Sequence, residues 1–130
     1  MRVDYEYISK ILDVFLNSER TTVDWNDFYP FHSESEDRFV FHIEILRDKG
    51  LVSGVRGSDN TLGINGIHGE YYISVVPWRL TADGHDFASA ITKPSVLIAI
   101  KNKFKTEGIG AVIEIAKKIA VKQAEKLLDV

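Results

Sequence analysis

Arg38 and His42 lie four residues apart, so on a helix both would project from one face, one turn apart. A guanidinium and an imidazole placed like that can read base edges in a major groove. A second basic group comes late in the chain: Lys101, Lys103, Lys105, Lys117, Lys118 and Lys122. Ammonium groups of this kind neutralise phosphates and fix position without reading sequence. Between the two sets, Arg56, Asn60, Asn65 and His68 stand in a Gly- and Asn-rich stretch that could reach a groove. These residues are the candidate nucleic-acid contacts. Residues 33–38, Ser-Glu-Ser-Glu-Asp-Arg, count against them, because they put three carboxylates where a recognition helix would meet phosphates. Arg38 also has a structural alternative in Glu34, at helical spacing.

The residue types for bond-making chemistry are thinner. There are 0 Cys, which excludes a disulfide scaffold, a zinc ribbon and a Cys nucleophile together. The four histidines include no H-E-x-x-H spacing, and a capping turn between His32 and Glu36 denies them a common face. His42, between Phe41 and Ile43, also fits a buried structural histidine. Gly63-Ile64-Asn65-Gly66-Ile67-His68-Gly69 matches neither G-x-G-x-x-G nor a Walker loop, and it precedes a strand where a phosphate loop needs a helix. Asp83, His85 and Asp86 crowd in sequence, but neighbours on a helix point apart, and acids in a first turn answer the helix dipole. The expectation is a protein that is not an enzyme, with no cofactor and no metal.

These residues need elements to position them. Asp4 is a candidate N-cap for a first helix with Tyr5, Ile8, Leu12 and Phe15 on one face. Residues 21–23 are β-prone. Asp24 caps a brief helix carrying Trp25 and Phe28, which Pro30 stops, leaving Phe31-His32 as a turn. Ser33 and Glu36 form a capping box for a third helix with Phe39, Val40, Ile43 and Leu46 inward, ended by Gly50. Residues 51–56 read as a strand, 57–69 as a loop and 70–76 as a second strand, the two strands pairing as a hairpin that Trp78 and Leu80 extend beyond Pro77. Thr81 caps a fourth helix. Gly84 inside it would cost about 1 kcal/mol relative to Ala, so a close approach by a neighbour is predicted there. Pro94 opens a fifth helix and Gly108 and Gly110 break it. The last helix, from about Ala111, has Val112, Ile113, Ala116, Ile119, Ala120, Leu127 and Leu128 along an apolar stripe.

Helix, short strand, helix, helix, two-stranded wing and helix is the order of a winged helix-turn-helix. The fold expectation is therefore α+β, mostly helical, with a two- or three-stranded wing sheet and two extra C-terminal helices. Residues 39–52, Phe-Val-Phe-His-Ile-Glu-Ile-Leu-Arg-Asp-Lys-Gly-Leu-Val, resemble the junction of third helix and first wing strand in many bacterial winged-helix regulators. Asp4-Tyr5, Ile8, Lys10-Ile11-Leu12, Phe41-His42-Ile43, Leu80-Thr81, Gly84-His85-Asp86-Phe87 and the Lys-rich C-terminus together resemble the family called domain of unknown function 2513. That resemblance implies a winged-helix-like fold in a bacterial or phage setting, and it supplies no catalytic residues.

The 130 residues and 45% hydrophobic content suit one core. The formal net charge of −3 is uneven. Residues 1–92 hold eight basic and fifteen acidic residues, −7, and residues 93–130 hold eight Lys and four acids, +4. The expected organisation is a winged-helix domain over 1–92 and a Lys-rich helical extension over 93–130. The extension either packs on the domain or makes a homodimer through the stripe of the last helix. No apolar run approaches the ~18 residues of a membrane span, and no signal core opens the chain, so the expected compartment is the cytoplasm with no membrane partner. The expected function is binding, as a DNA-associated regulator. The alternative is a protein-interaction adaptor, or a phage modulator of a host factor, that does not touch DNA.

Overall fold

The computed structural model describes residues 1–55 and 61–129. Among the described residues the fold is α+β and mostly helical, with six α-helices and two small antiparallel sheets. The helices are α1 (Tyr5–Asn17), α2 (Tyr29–Glu34), α3 (Glu36–Asp48), α4 (Ala82–Ile91), α5 (Pro94–Lys103) and α6 (Ile109–Leu128). The strands are β1 (Val52–Gly54), β2 (Ile64–Ile67), β3 (Glu70–Ile73) and β4 (Trp78–Leu80). None of the described helices is long and apolar enough to cross a membrane.

The helix starts follow their caps. The Asp4 carboxylate accepts the Tyr7 N–H and opens α1, and the Thr81 hydroxyl accepts the Gly84 N–H and opens α4. Two readings between residues 29 and 36 are corrected. Pro30 does not end a helix there; it sits in the first turn of α2, which continues directly from a single 3-10 turn, Trp25–Phe28. A first turn has no intrahelical acceptor for its N–H groups, so the missing proline donor costs nothing at that place. Phe31 and His32 are therefore helical. Ser33 is also inside α2, and it is Ser35 whose hydroxyl accepts the Arg38 N–H and caps α3.

The strand pairing differs from expectation as well. β1 pairs with β4, Val52 opposite Leu80 and Gly54 opposite Trp78, and Val23 bridges Trp78 from the other side. β3 pairs with β2, a segment read from sequence as loop. The local hairpin wins because joining Ile64–Ile67 to Glu70–Ile73 closes a far shorter loop than joining residues 51–56 to 70–76. Gly66 permits the close approach: its φ is +98°, and a Cβ there would lie 2.0 Å from the Glu70 carbonyl oxygen.

One core unites these parts. Ile8, Ile11 and Leu12 of α1, Phe28, Phe39, Ile43 and Leu46 of α2–α3 and its preceding turn, Trp78 of β4 and Phe87 and Ile91 of α4 are closed to solvent. Val96 and Ile100 of α5 and Val112 and Ala116 of α6 belong to the same cluster, so the C-terminal helices pack on α1 and α4.

Gly84 has the packing reason its sequence position implied. A Cβ at this site would stand 2.0 Å from the Leu51 carbonyl oxygen, which is backbone and cannot rotate away. Gly84→Ala is expected to lower stability by ~1–3 kcal/mol from overpacking, despite a gain of about 1 kcal/mol in helix propensity. Thermal denaturation measures the sum; a raised melting temperature would mean that α4 does not rest on the entry to β1.

Candidate interaction face on helix α3

Asp4, at the start of α1, ties that helix to α3. Its carboxylate accepts the Tyr7 N–H at 3.1 Å and an Arg38 guanidinium N–H at 2.7 Å. Its backbone N–H donates to His42 Nε2 at 3.0 Å. With Nε2 an acceptor, the ring proton is on Nδ1, which donates to the Arg38 carbonyl at 2.7 Å. The Arg38 guanidinium also lies over the Tyr7 ring, 4.2 Å from its centroid. Burial alone would raise the Asp4 carboxyl, but the Tyr7 N–H and the Arg38 charge together hold it below the usual carboxylate range. Burial holds His42 below its ordinary value of 6.5, against the opposite pull of the Arg38 carbonyl.

This network corrects the base-reading role predicted for His42. The side chain is 1% exposed and both ring nitrogens are occupied within the fold, so it has nothing to offer a base. Arg38 is half-exposed, and its partner is Asp4 and not the expected Glu34. It forms one wall of a cleft of about 350 Å³ between α1 and α2, with Tyr7, Lys10, Phe31 and Glu34. The Tyr7 hydroxyl is buried without a hydrogen-bond partner among the described residues, and burial pushes it up to about 12.

The outward face of α3 is formed instead by Asp37, Phe41, Glu44, Ile45 and Asp48, which recur at helical spacing opposite the buried Phe39, Ile43 and Leu46. Phe41 and Ile45 are half-exposed and do not join the core. The β2–β3 hairpin docks at the top of this face. The Tyr71 hydroxyl donates to Asp37 Oδ1 at 2.8 Å, and His68 Nδ1 contacts Asp37 Oδ2. The Tyr71 bond holds Asp37 below the ordinary carboxylate range. Tyr71 itself rises to about 12, from burial first and then from Asp37, with Glu44 and Glu36 adding to the negative field. The far side of the hairpin exposes Asn65, Ile67 and Tyr72.

The remaining candidates are scattered. Arg56 and Asn60 lie outside the described residues. Lys101 is paired with Glu6 at 2.5 Å and Lys117 lies 4.0 Å from Glu114. Lys103, Lys105, Lys118 and Lys122 are exposed, on α5, the turn after it and α6. Of the predicted dimer contacts, Val112 and Ala116 are corrected: both are completely buried in the protein's own core. Ile113, Ile119 and Ala120 are half-buried against that core, whereas Leu127 and Leu128 are exposed. Asp83, His85 and Asp86 are exposed, and His32 stacks on Trp25 at 4.2 Å. Among the described residues no group of His, Asp and Glu is arranged to hold a metal ion.

Sequence reasoning missed Asp37 and Tyr71, which stand 34 residues apart. It saw Asp4 only as a cap. No local pattern could have found these ties, because each joins elements brought together by the core. No family model, curated protein or solved structure matches the chain.

Proposed function

We propose that the protein is a non-enzymatic binding module of winged-helix type whose α3 face engages a basic protein partner. Support for the type comes from the element order: α1, the Val23 bridge, α2, α3, β1, an inserted hairpin and β4. The observation that carries the partner chemistry is the outward face of α3. Asp37, Glu44 and Asp48 surround Phe41 and Ile45 there, with Arg47 beside them, 3.5 Å from Glu44 and 3.2 Å from Asp48. In a winged helix this surface enters the major groove, where its net negative charge, three carboxylates against Arg47, would repel phosphates. A Lys- or Arg-bearing partner segment with apolar side chains between its charges meets complementary charge and apolar contact on the same face.

The DNA-associated regulator is the second reading. The exposed Lys103, Lys105, Lys118 and Lys122 favour it, as a surface for phosphate contacts.

One titration separates the two. A basic amphipathic peptide, its acidic counterpart and a short duplex DNA are each titrated at low and at physiological salt. Binding of the basic peptide alone, weakened about tenfold or more by the double change Glu44→Lys and Asp48→Lys, is the expected result. Duplex binding at low salt that falls steeply as salt rises would sink the adaptor reading in favour of the regulator.

A further inference from the structure

The core-facing side of α6 is used up before the helix ends. Val112 and Ala116 are completely buried and Ile119 and Ala120 half-buried. Gln123 Nε2 then donates to Ser95 Oγ, at the start of α5, over 2.9 Å. Past that bond α6 has outrun α5, and Leu127 is 77% exposed although it continues the buried stripe. The opposite side of the helix was never covered. Val121 follows Val112 by nine residues, about two and a half turns at 3.6 residues per turn, and it is 55% exposed. Val121, Ala124 and Leu128 form a solvent-facing apolar line, with Lys117 and Lys118 before Val121 and Glu125 after it.

We propose that this outer face of α6 joins two copies of the chain, the two helices packed antiparallel about a twofold axis at Val121. The charges select both the partner and its direction. In an antiparallel pair, a residue four before Val121 meets the residue four after it on the second copy. Lys117 and its neighbour Lys118 then face Glu125 of the second copy, and the symmetry repeats the contact at the other end. Val121 packs on itself and Ala124 lets the helices approach. A parallel pair would set lysine against lysine and glutamate against glutamate, which is repulsive. The contact covers part of one helix, well below the ~1,200 Å² of a stable interface, so the association is weak and concentration-dependent. This face lies on a different helix from the proposed α3 site and does not depend on it.

Sedimentation of the full chain over a concentration series tests the contact. The mass should rise from one copy toward two as concentration increases. Val121→Glu should remove that rise. The pair Lys117→Glu and Lys118→Glu should weaken association about tenfold or more, since two attractive contacts become repulsive. Adding Glu125→Lys to that pair should restore it. Val121, Lys118 and Glu125 are exposed and Lys117 is half-exposed, 4.0 Å from Glu114 of its own helix, and far-UV circular dichroism of each variant confirms that α6 is still helical. A chain that stays monomeric throughout overturns the proposal, as does a charge swap that fails to restore association. If a monomeric chain instead binds duplex DNA through the same lysines, the face belongs to nucleic acid.

Discussion

Trp78→Ala is expected to destabilise the fold by about 3–5 kcal/mol, the usual range for truncating a buried aromatic. Trp78 is fully buried, 0% exposed, and it sits where three segments meet. Its backbone pairs with Gly54 of β1 on one side and bridges Val23 on the other. Its ring packs near Phe28 and Phe39, at centroid distances of 5.7 and 6.3 Å. The indole N–H donates to the Leu62 carbonyl at 2.9 Å, which fixes the segment leading into the hairpin. Removing the ring leaves a cavity and an unpaired buried carbonyl together. Trp78→Phe keeps most of the volume and isolates the hydrogen bond, at about 1–3 kcal/mol for the acceptor left unpaired. Urea denaturation of both variants gives the two numbers. A loss under 1 kcal/mol for the alanine variant would contradict the clasp role assigned to Trp78.

The second large effect is at His42. Replacing it by leucine leaves the Asp4 N–H without its ring partner, while the Arg38 carbonyl keeps its helical bond to the backbone of residue 42, so the change is expected to cost about 1–3 kcal/mol for the one orphaned group. The same geometry sets a pH dependence. The folded ring is held below 6.5 by burial, while the unfolded chain takes up the proton near 6.5. Above that value both states are neutral at this site and the contribution of His42 is complete. As the pH falls below it, the unfolded state binds more protons and stability declines. Protonation at Nε2 would also set an N–H against the Asp4 N–H. The charged groups facing the ring are Asp4 and Arg38, on α1 and α3, with Tyr7 beside it at 4.6 Å. Denaturation midpoints should drop between pH 7 and 5 in the native chain. The drop should be smaller in the His42→Leu variant, whose stability is already reduced at pH 7. Equal pH slopes in the two chains would refute the assignment.

Much of the architecture was legible locally. Asp4 and Thr81 cap helices because a short polar side chain can satisfy N–H groups only a few residues ahead. The apolar steps of α1 and α3 named Ile8, Leu12, Phe39 and Leu46 as core, and all four are buried. Gly84 announced a close neighbour through its cost alone. Pairing of strands was not legible, since residues 64–67 read as loop from their Gly and Asn content, and the choice of partner for residues 70–76 depends on loop closure and on Trp78. The candidate site was the least visible part. Arg38 and His42 carry the residue types of a reading head, and the fold spends both on Asp4.

The sequence alone determined the order of the helices, the absence of cysteine chemistry and the division of charge into an acidic body and a basic tail. Each follows from residue type or short-range periodicity, which the chain carries wherever it goes. Only the tertiary structure decided which polar groups remain available. Burial took His42 inward and a partner 34 residues away tied the half-exposed Arg38 to Asp4, and the same packing tied Asp37 to Tyr71 and left Glu44 and Asp48 on the outer side of α3 beside Arg47. A side chain can present a hydrogen bond or a charge to a partner only if the fold has not already used it, and that depends on contacts no local pattern encodes.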